Sequence, residues 1–130
     1  MRILVVDDNE YVRRGVLNIL ASDKNLEVCG VATDGEEAIQ KARELRPDLV
    51  LLDISMPGMD GLEAARILRT EVASAKILIM SQHDSTQILQ RALDAGAQGC
   101  VDKGRLATDL LPHIESIMHS PEQVPRGDSA

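Results

Sequence analysis

The sequence predicts an α/β domain built on a doubly wound, five-stranded parallel sheet. Three observations predict it. The apolar runs Ile3-Leu4-Val5-Val6, Leu49-Val50-Leu51-Leu52 and Ile77-Leu78-Ile79-Met80 are continuous rather than alternating, as in strands covered on both faces. Segments of helical period lie between them. Polar residues able to do chemistry follow most of the strands, where an open parallel sheet gathers its carboxyl-terminal strand ends along one rim.

The elements follow in order. The first strand runs into Asp7-Asp8. A helix over Tyr11 to Ala21 carries Val12, Val16, Ile19 and Leu20 on one face. A weaker strand spans Glu27 to Ala32 and ends without a charge. Asp34, with Glu37 three positions on, caps a second helix bearing Ala38, Ile39, Ala42 and Leu45, and Arg46-Pro47 ends it, since the residue before proline avoids helical geometry. The strand at 49–52 ends on Asp53, and Asp60 with Glu63 repeats the cap pattern ahead of Leu62, Ala65, Ile67 and Leu68. The strand at 77–80 ends on Ser81; Ser85 can cap a helix through Leu93, and Gly96 suits its left-handed terminus. A weaker strand over Gly99 to Asp102 leads into Lys103.

The last helix contains Pro112, which is tolerated in a first turn but not in a helix interior. This places the helix start near Thr108 and Leu110, Leu111, Ile114, Ile117 and Met118 on the buried side. Residues 120–130, polar and with two prolines, read as a disordered tail or the start of a linker, leaving residues 1–119 as one domain. Five βα units imply right-handed crossovers, and the uncharged second strand belongs at the edge, in the order 2-1-3-4-5.

Composition narrows the function. The 130 residues contain neither Phe nor Trp, and Tyr11 is the lone aromatic, so sites that stack bases or flavins are disfavoured. A net charge of −7 without a basic run argues against direct nucleic-acid binding. Without a signal peptide or a membrane-length apolar stretch the expected location is cytoplasmic, with no membrane partner. Cys29 and Cys100 fall inside strands without metal-ligand spacing and read as small buried hydrophobes on opposite edges of the sheet, unable to pair. His113 and His119 are six apart and share no helix face.

Four strand ends thus deliver Asp7, Asp8, Asp53, Ser81 and Lys103 to one rim. Each alone has an ordinary explanation as a cap, a turn former or a solvated charge. Together they form a pattern that independent caps do not produce. Crowded carboxylates repel unless a cation sits among them, and an all-oxygen set selects Mg²⁺ or Mn²⁺ over zinc. An aspartate beside such an ion and a lysine is placed to accept a phosphoryl group as an acyl phosphate.

At this point the sequence resembles the receiver domains of two-component response regulators, of the chemotaxis-regulator kind. The matching stretches are VVDDNE at 5–10, DLVLLDISMPGMDG at 48–61, ILIMSQHD at 77–84 and GAQGCVDKG at 96–104. The resemblance implies a flavodoxin-like fold and a Mg²⁺-dependent switch. Asp53 would be the phosphoacceptor. Asp8 would bind the metal directly, Asp7 through a water, and Ser55 through its backbone carbonyl. Ser81 and Lys103 would hold the phosphoryl group, and Met56-Pro57-Gly58 with Gly61 would shape the pocket. The donor would be a phosphohistidine on a sensor kinase or phosphotransfer protein. The chain would be no enzyme beyond self-catalysed phosphotransfer and dephosphorylation, and a phosphorylation-linked homodimer is an arrangement the resemblance allows.

Two departures stand out. The switch position three before the lysine, usually Tyr or Phe, is Cys100, and no proline follows Lys103. The second resembles the branch fused to helix-turn-helix output domains, as do SQHD and LLPHI. His83, near the pocket mouth, is a candidate modulator of water access. The main rival is an interaction module that works without phosphorylation, favoured only by Cys100. A hydrolase of the haloacid dehalogenase type would need an acidic residue where Ser55 stands, and no G-x-G-x-x-G signals a dinucleotide.

Overall fold

The computed structural model describes residues 1–82 and 86–119. The elements alternate throughout: β1 (Arg2–Val6), α1 (Glu10–Ala21), β2 (Glu27–Ala32), α2 (Gly35–Leu45), β3 (Leu49–Asp53), α3 (Gly61–Glu71), β4 (Lys76–Ser81), α4 (Thr86–Asp94), β5 (Gly99–Asp102) and α5 (Leu106–Met118). All strand pairs are parallel and the order is β2-β1-β3-β4-β5.

The continuous apolar runs are explained by two cores. Leu4, Val6, Val50, Leu52, Ile77 and Ile79 point to one face and pack beneath α2, α3 and α4. Their neighbours Ile3, Val5, Leu49, Leu51, Leu78 and Met80 point to the other, against α1 and α5. Residues 49–53 are buried at every position, because β3 lies centrally with helices on both faces.

Caps set the loops. Asp34 accepts from Glu37 N at 2.8 Å and Asp60 from Glu63 N at 2.9 Å, as the sequence pattern predicts. Arg46, before Pro47, adopts the left-handed region at φ 51° and closes α2. Gly96 has φ 102° after α4, where glycine alone escapes the steric cost.

Three expectations need correction. The last helix begins at Leu106 rather than near Thr108, because a 3₁₀ turn over Lys103–Arg105 feeds directly into it. Pro112 therefore sits inside α5. It is tolerated because both it and Thr108, whose carbonyl it cannot bond, face solvent. Met118 is exposed rather than buried, since in the last turn of α5 it is Ile117 that faces the core and Met118, one residue on, is rotated off that face. Cys29 and Cys100 are half-buried rather than buried, because edge strands are covered less completely; both are free. The cap expected at Ser85, the His83 position and the tail at 120–130 lie outside the described residues.

Candidate functional site

The carboxyl-terminal ends of β1, β3, β4 and β5 converge on an open cavity of about 900 Å³. Its walls include Asp8, Asp53, Ser55, Ser81 and Lys103. Asp53 ends β3 and is only 1% exposed, although it forms part of the cavity floor. Asp7 is fully buried next to it, Asp8 is exposed at the rim, and Ser81 is buried at the end of β4.

Local turns aim these groups. Asp7 Oδ1 accepts from Asn9 N at 2.8 Å, and Asn9 in turn caps α1 by accepting from Tyr11 N and Val12 N. Arg13 donates to the Asp7 carbonyl at 2.8 Å, tying the β1–α1 loop to the helix. Asp53 Oδ1 accepts from Ser55 N at 3.1 Å. The loop after β3 then folds back so closely that Gly61 N donates to the Ile54 carbonyl at 3.0 Å. A Cβ on Gly61 would stand 2.8 Å from Ile54 Cα and closer still to the Asp53 carbonyl, so α3 can start here only on glycine.

Lys103 completes the site. Its Nζ lies 2.8 Å from Asp7 Oδ2 and 2.9 Å from Asp53 Oδ1, with the side chain only 10% exposed. Burial alone would lower the lysine pKa; the contacts with Asp7 and Asp53 outweigh it and hold the ammonium above its ordinary value. Asp53 is shifted the other way for a carboxylate. Desolvation raises its pKa, opposed by Lys103 and the Ser55 N–H and reinforced by Asp7.

The charges do not balance. Asp7, Asp8 and Asp53 each offer an oxygen within 4.8 Å of the others. At that separation two full charges repel by about 3 kcal/mol at an effective dielectric constant of 20. One ammonium offsets part of this for three carboxylates. Asp7 Oδ2, although in ion-pair contact with Lys103, receives no well-directed hydrogen bond while being buried. A buried, under-coordinated carboxylate oxygen in an all-oxygen set fits a hard divalent cation of the Mg²⁺ type.

The structure therefore brings Asp7, Asp8, Asp53, Ser55, Ser81 and Lys103 together as the sequence reading expected. Cys100 does not line the cavity; it lies on β5 opposite Ile79 and packs partly against the core beneath α4. His83 falls outside the described residues. Several lining residues, Asn9 and Arg91 among them, were not anticipated. Asn9 was legible as the cap just before the periodic run of α1. Arg91 was legible only through helix phase, three residues after Ile88 on the side of α4 that faces the cavity.

A doubly wound sheet carrying an acidic, lysine-bridged pocket at its switch point defines a class of α/β domains whose site lies beyond the carboxyl ends of the strands. The model of the response regulator receiver domain family matches residues 3–115. Response regulator GacA of Pseudomonas viridiflava is 40% identical over 117 residues, covering 90% of this chain and 55% of that protein. A LuxR-family two-component response regulator from Aurantimonas is 34% identical with a TM-score of 0.87, covering 95% of this chain and 88% of the other. CheY from a CheX–CheY–BeF₃–Mg²⁺ complex of Borrelia burgdorferi is 26% identical with a TM-score of 0.86, covering 92% and 90%. The chain belongs to the receiver-domain family of two-component response regulators. It spans about half the length of the curated relatives it matches.

Proposed function

We propose that Asp53 is the phosphoacceptor of this receiver. The observation that carries the reading is the Asp53 carboxylate, buried in the cavity floor with Oδ1 held by Lys103 and Ser55 N. Oδ2 is then the oxygen left to attack. The Oδ2–P bond forms as the P–N bond of a donor phosphohistidine breaks, and the imidazole nitrogen keeps the electron pair. Lys103 moves from the carboxylates toward the new phosphoryl oxygens, and the Ser81 hydroxyl takes another. Asp8, Asp53 and the Ser55 carbonyl would hold Mg²⁺ or Mn²⁺, with Asp7 reaching it through water. The ion supplies neutralisation of the charge that builds on the transferring group.

The partners that fit are a sensor histidine kinase or phosphotransfer protein upstream and an output module downstream. The likeness to GacA and to a LuxR-family regulator supports reading the chain as the amino-terminal part of a helix-turn-helix transcriptional regulator. The chain, at −7 net charge, would leave DNA contact to that module. Cys100 would occupy the switch position with too little volume to swing as a ring does.

The test is intact-mass measurement after incubation with acetyl phosphate. One phosphoryl group should be gained with Mg²⁺ or Mn²⁺ and none in excess chelator or in Asp53→Asn. Equal labelling of the variant would remove Asp53 from the role.

A further inference from the structure

Arg91 is, with Lys103, one of the two cations among the described residues that line the cavity. It lies on α4 and is exposed, yet it lines the same cavity as Asp53 and Lys103, with Ile88 one turn earlier. Met56, Pro57, Leu62 and Asp60 line the cavity with it. Among the described residues its guanidinium is in no ion pair, whereas the cavity's other cation, Lys103, pairs with two carboxylates. Lys103 is consumed by Asp7 and Asp53 at the floor. Arg91 is thus an uncommitted positive charge at the mouth.

The mouth is where a leaving group must go. Attack from the floor by Asp53 is in line with the bond that breaks, so the departing atoms are driven outward, toward α4 and the loop after β3. We infer that Arg91 is a donor-specificity residue: it favours phosphodonors whose leaving group departs as an anion. This rests on Asp53 being the acceptor. With an acyl phosphate, Asp53 Oδ2–P forms, the P–O bond to the acyl group breaks, and the carboxylate leaves with the electron pair and a full negative charge. With phosphoramidate, already protonated on nitrogen, the P–N bond breaks and neutral ammonia leaves. Arg91 attracts the first product as its charge develops and has nothing to stabilise in the second. The site is open to water, so the effect is moderate.

The experiment measures phosphorylation rates by intact mass with acetyl phosphate and with phosphoramidate, both with Mg²⁺, for wild type, Arg91→Ala and Arg91→Glu. Circular dichroism confirms that each variant folds, as expected for an exposed position. Arg91→Ala should slow the acetyl phosphate reaction by roughly three- to tenfold and Arg91→Glu further, with the phosphoramidate rate changed less than about twofold. Equal slowing with both donors would place Arg91 on the phosphoryl group and overturn the inference. So would unchanged rates with both. Failure of wild type to label with either donor, or labelling of Asp53→Asn, would instead overturn the phosphoacceptor reading.

Discussion

At the residue scale the pocket holds its own tension. Burial raises the Asp53 pKa, so ionising this carboxyl costs more in the folded chain than in the unfolded one. Below the ordinary carboxylate range, about pH 4, the group is neutral in both states and the cost vanishes; above its raised folded value the cost is complete. Asp53→Asn is neutral throughout. The variant should therefore be more stable than wild type at pH 7, by about 1 kcal/mol, and the gap should close as pH falls toward 4. Urea denaturation at the two pH values measures this, and a less stable variant at pH 7 would mean that the Lys103 attraction outweighs desolvation. Lys103 gives the converse case. Its raised pKa contributes stability below about pH 10.4 that is lost as pH climbs through the folded value. Lys103→Met leaves Asp7 and Asp53 without their shared cation. It should destabilise the metal-free protein by about 3 kcal/mol at neutral pH, and by less in alkali. The variant should also gain more thermal stability from Mg²⁺ than wild type does, because the ammonium no longer competes for the same oxygens. An equal Mg²⁺ shift in melting temperature for the two proteins would show that the ion does not share those oxygens.

At the element scale, α1 carries a local conflict. Gly15 sits mid-helix, exposed, and a Cβ there would meet nothing within 4 Å. Glycine in a helix interior costs about 0.5–1 kcal/mol relative to alanine, and no packing reason offsets it here. Gly15→Ala should therefore raise stability by about that amount without altering labelling by acetyl phosphate. Chemical denaturation and the labelling assay check the two halves separately. Gly61 is the opposite case, because its missing side chain is what lets α3 begin against the Asp53 carbonyl. The elements were legible in proportion to how far local chemistry decided them. Caps at Asp34 and Asp60 and the buried runs of β1, β3 and β4 depend on short-range pattern, and they fall where expected. The start of α5 was misread because Pro112 was taken as a first-turn signal. Its tolerance depends instead on which side of the helix meets water, a tertiary fact. The site was legible because strand order turns residues far apart in sequence into neighbours at one rim. Arg91 was legible only through helix phase, because its relevance depends on the rotation of α4 over the sheet.

At the scale of the whole molecule, strand order makes a chemical prediction. Cys29 and Cys100 lie on β2 and β5, the two edges of a five-stranded sheet. Four strand spacings of about 4.8 Å separate such strands, far beyond the roughly 7 Å that a disulfide spans. The folded monomer, air-oxidised and then unfolded, should titrate as two free thiols; none would contradict the order. The fold also fixes where a signal has to travel. α5 starts beside Lys103 at the rim and ends where the Ile117 carbonyl accepts from Lys76 Nζ at the first residue of β4. Its 13 residues carry the chain about 20 Å along the helix axis. The carboxyl-terminal end of α5 therefore lies at the pole of the molecule opposite the one that carries Asp53. A phosphoryl group on Asp53 would give that pole no direct push. News of such a reaction would have to arrive along the flanks, through shape changes felt from the side.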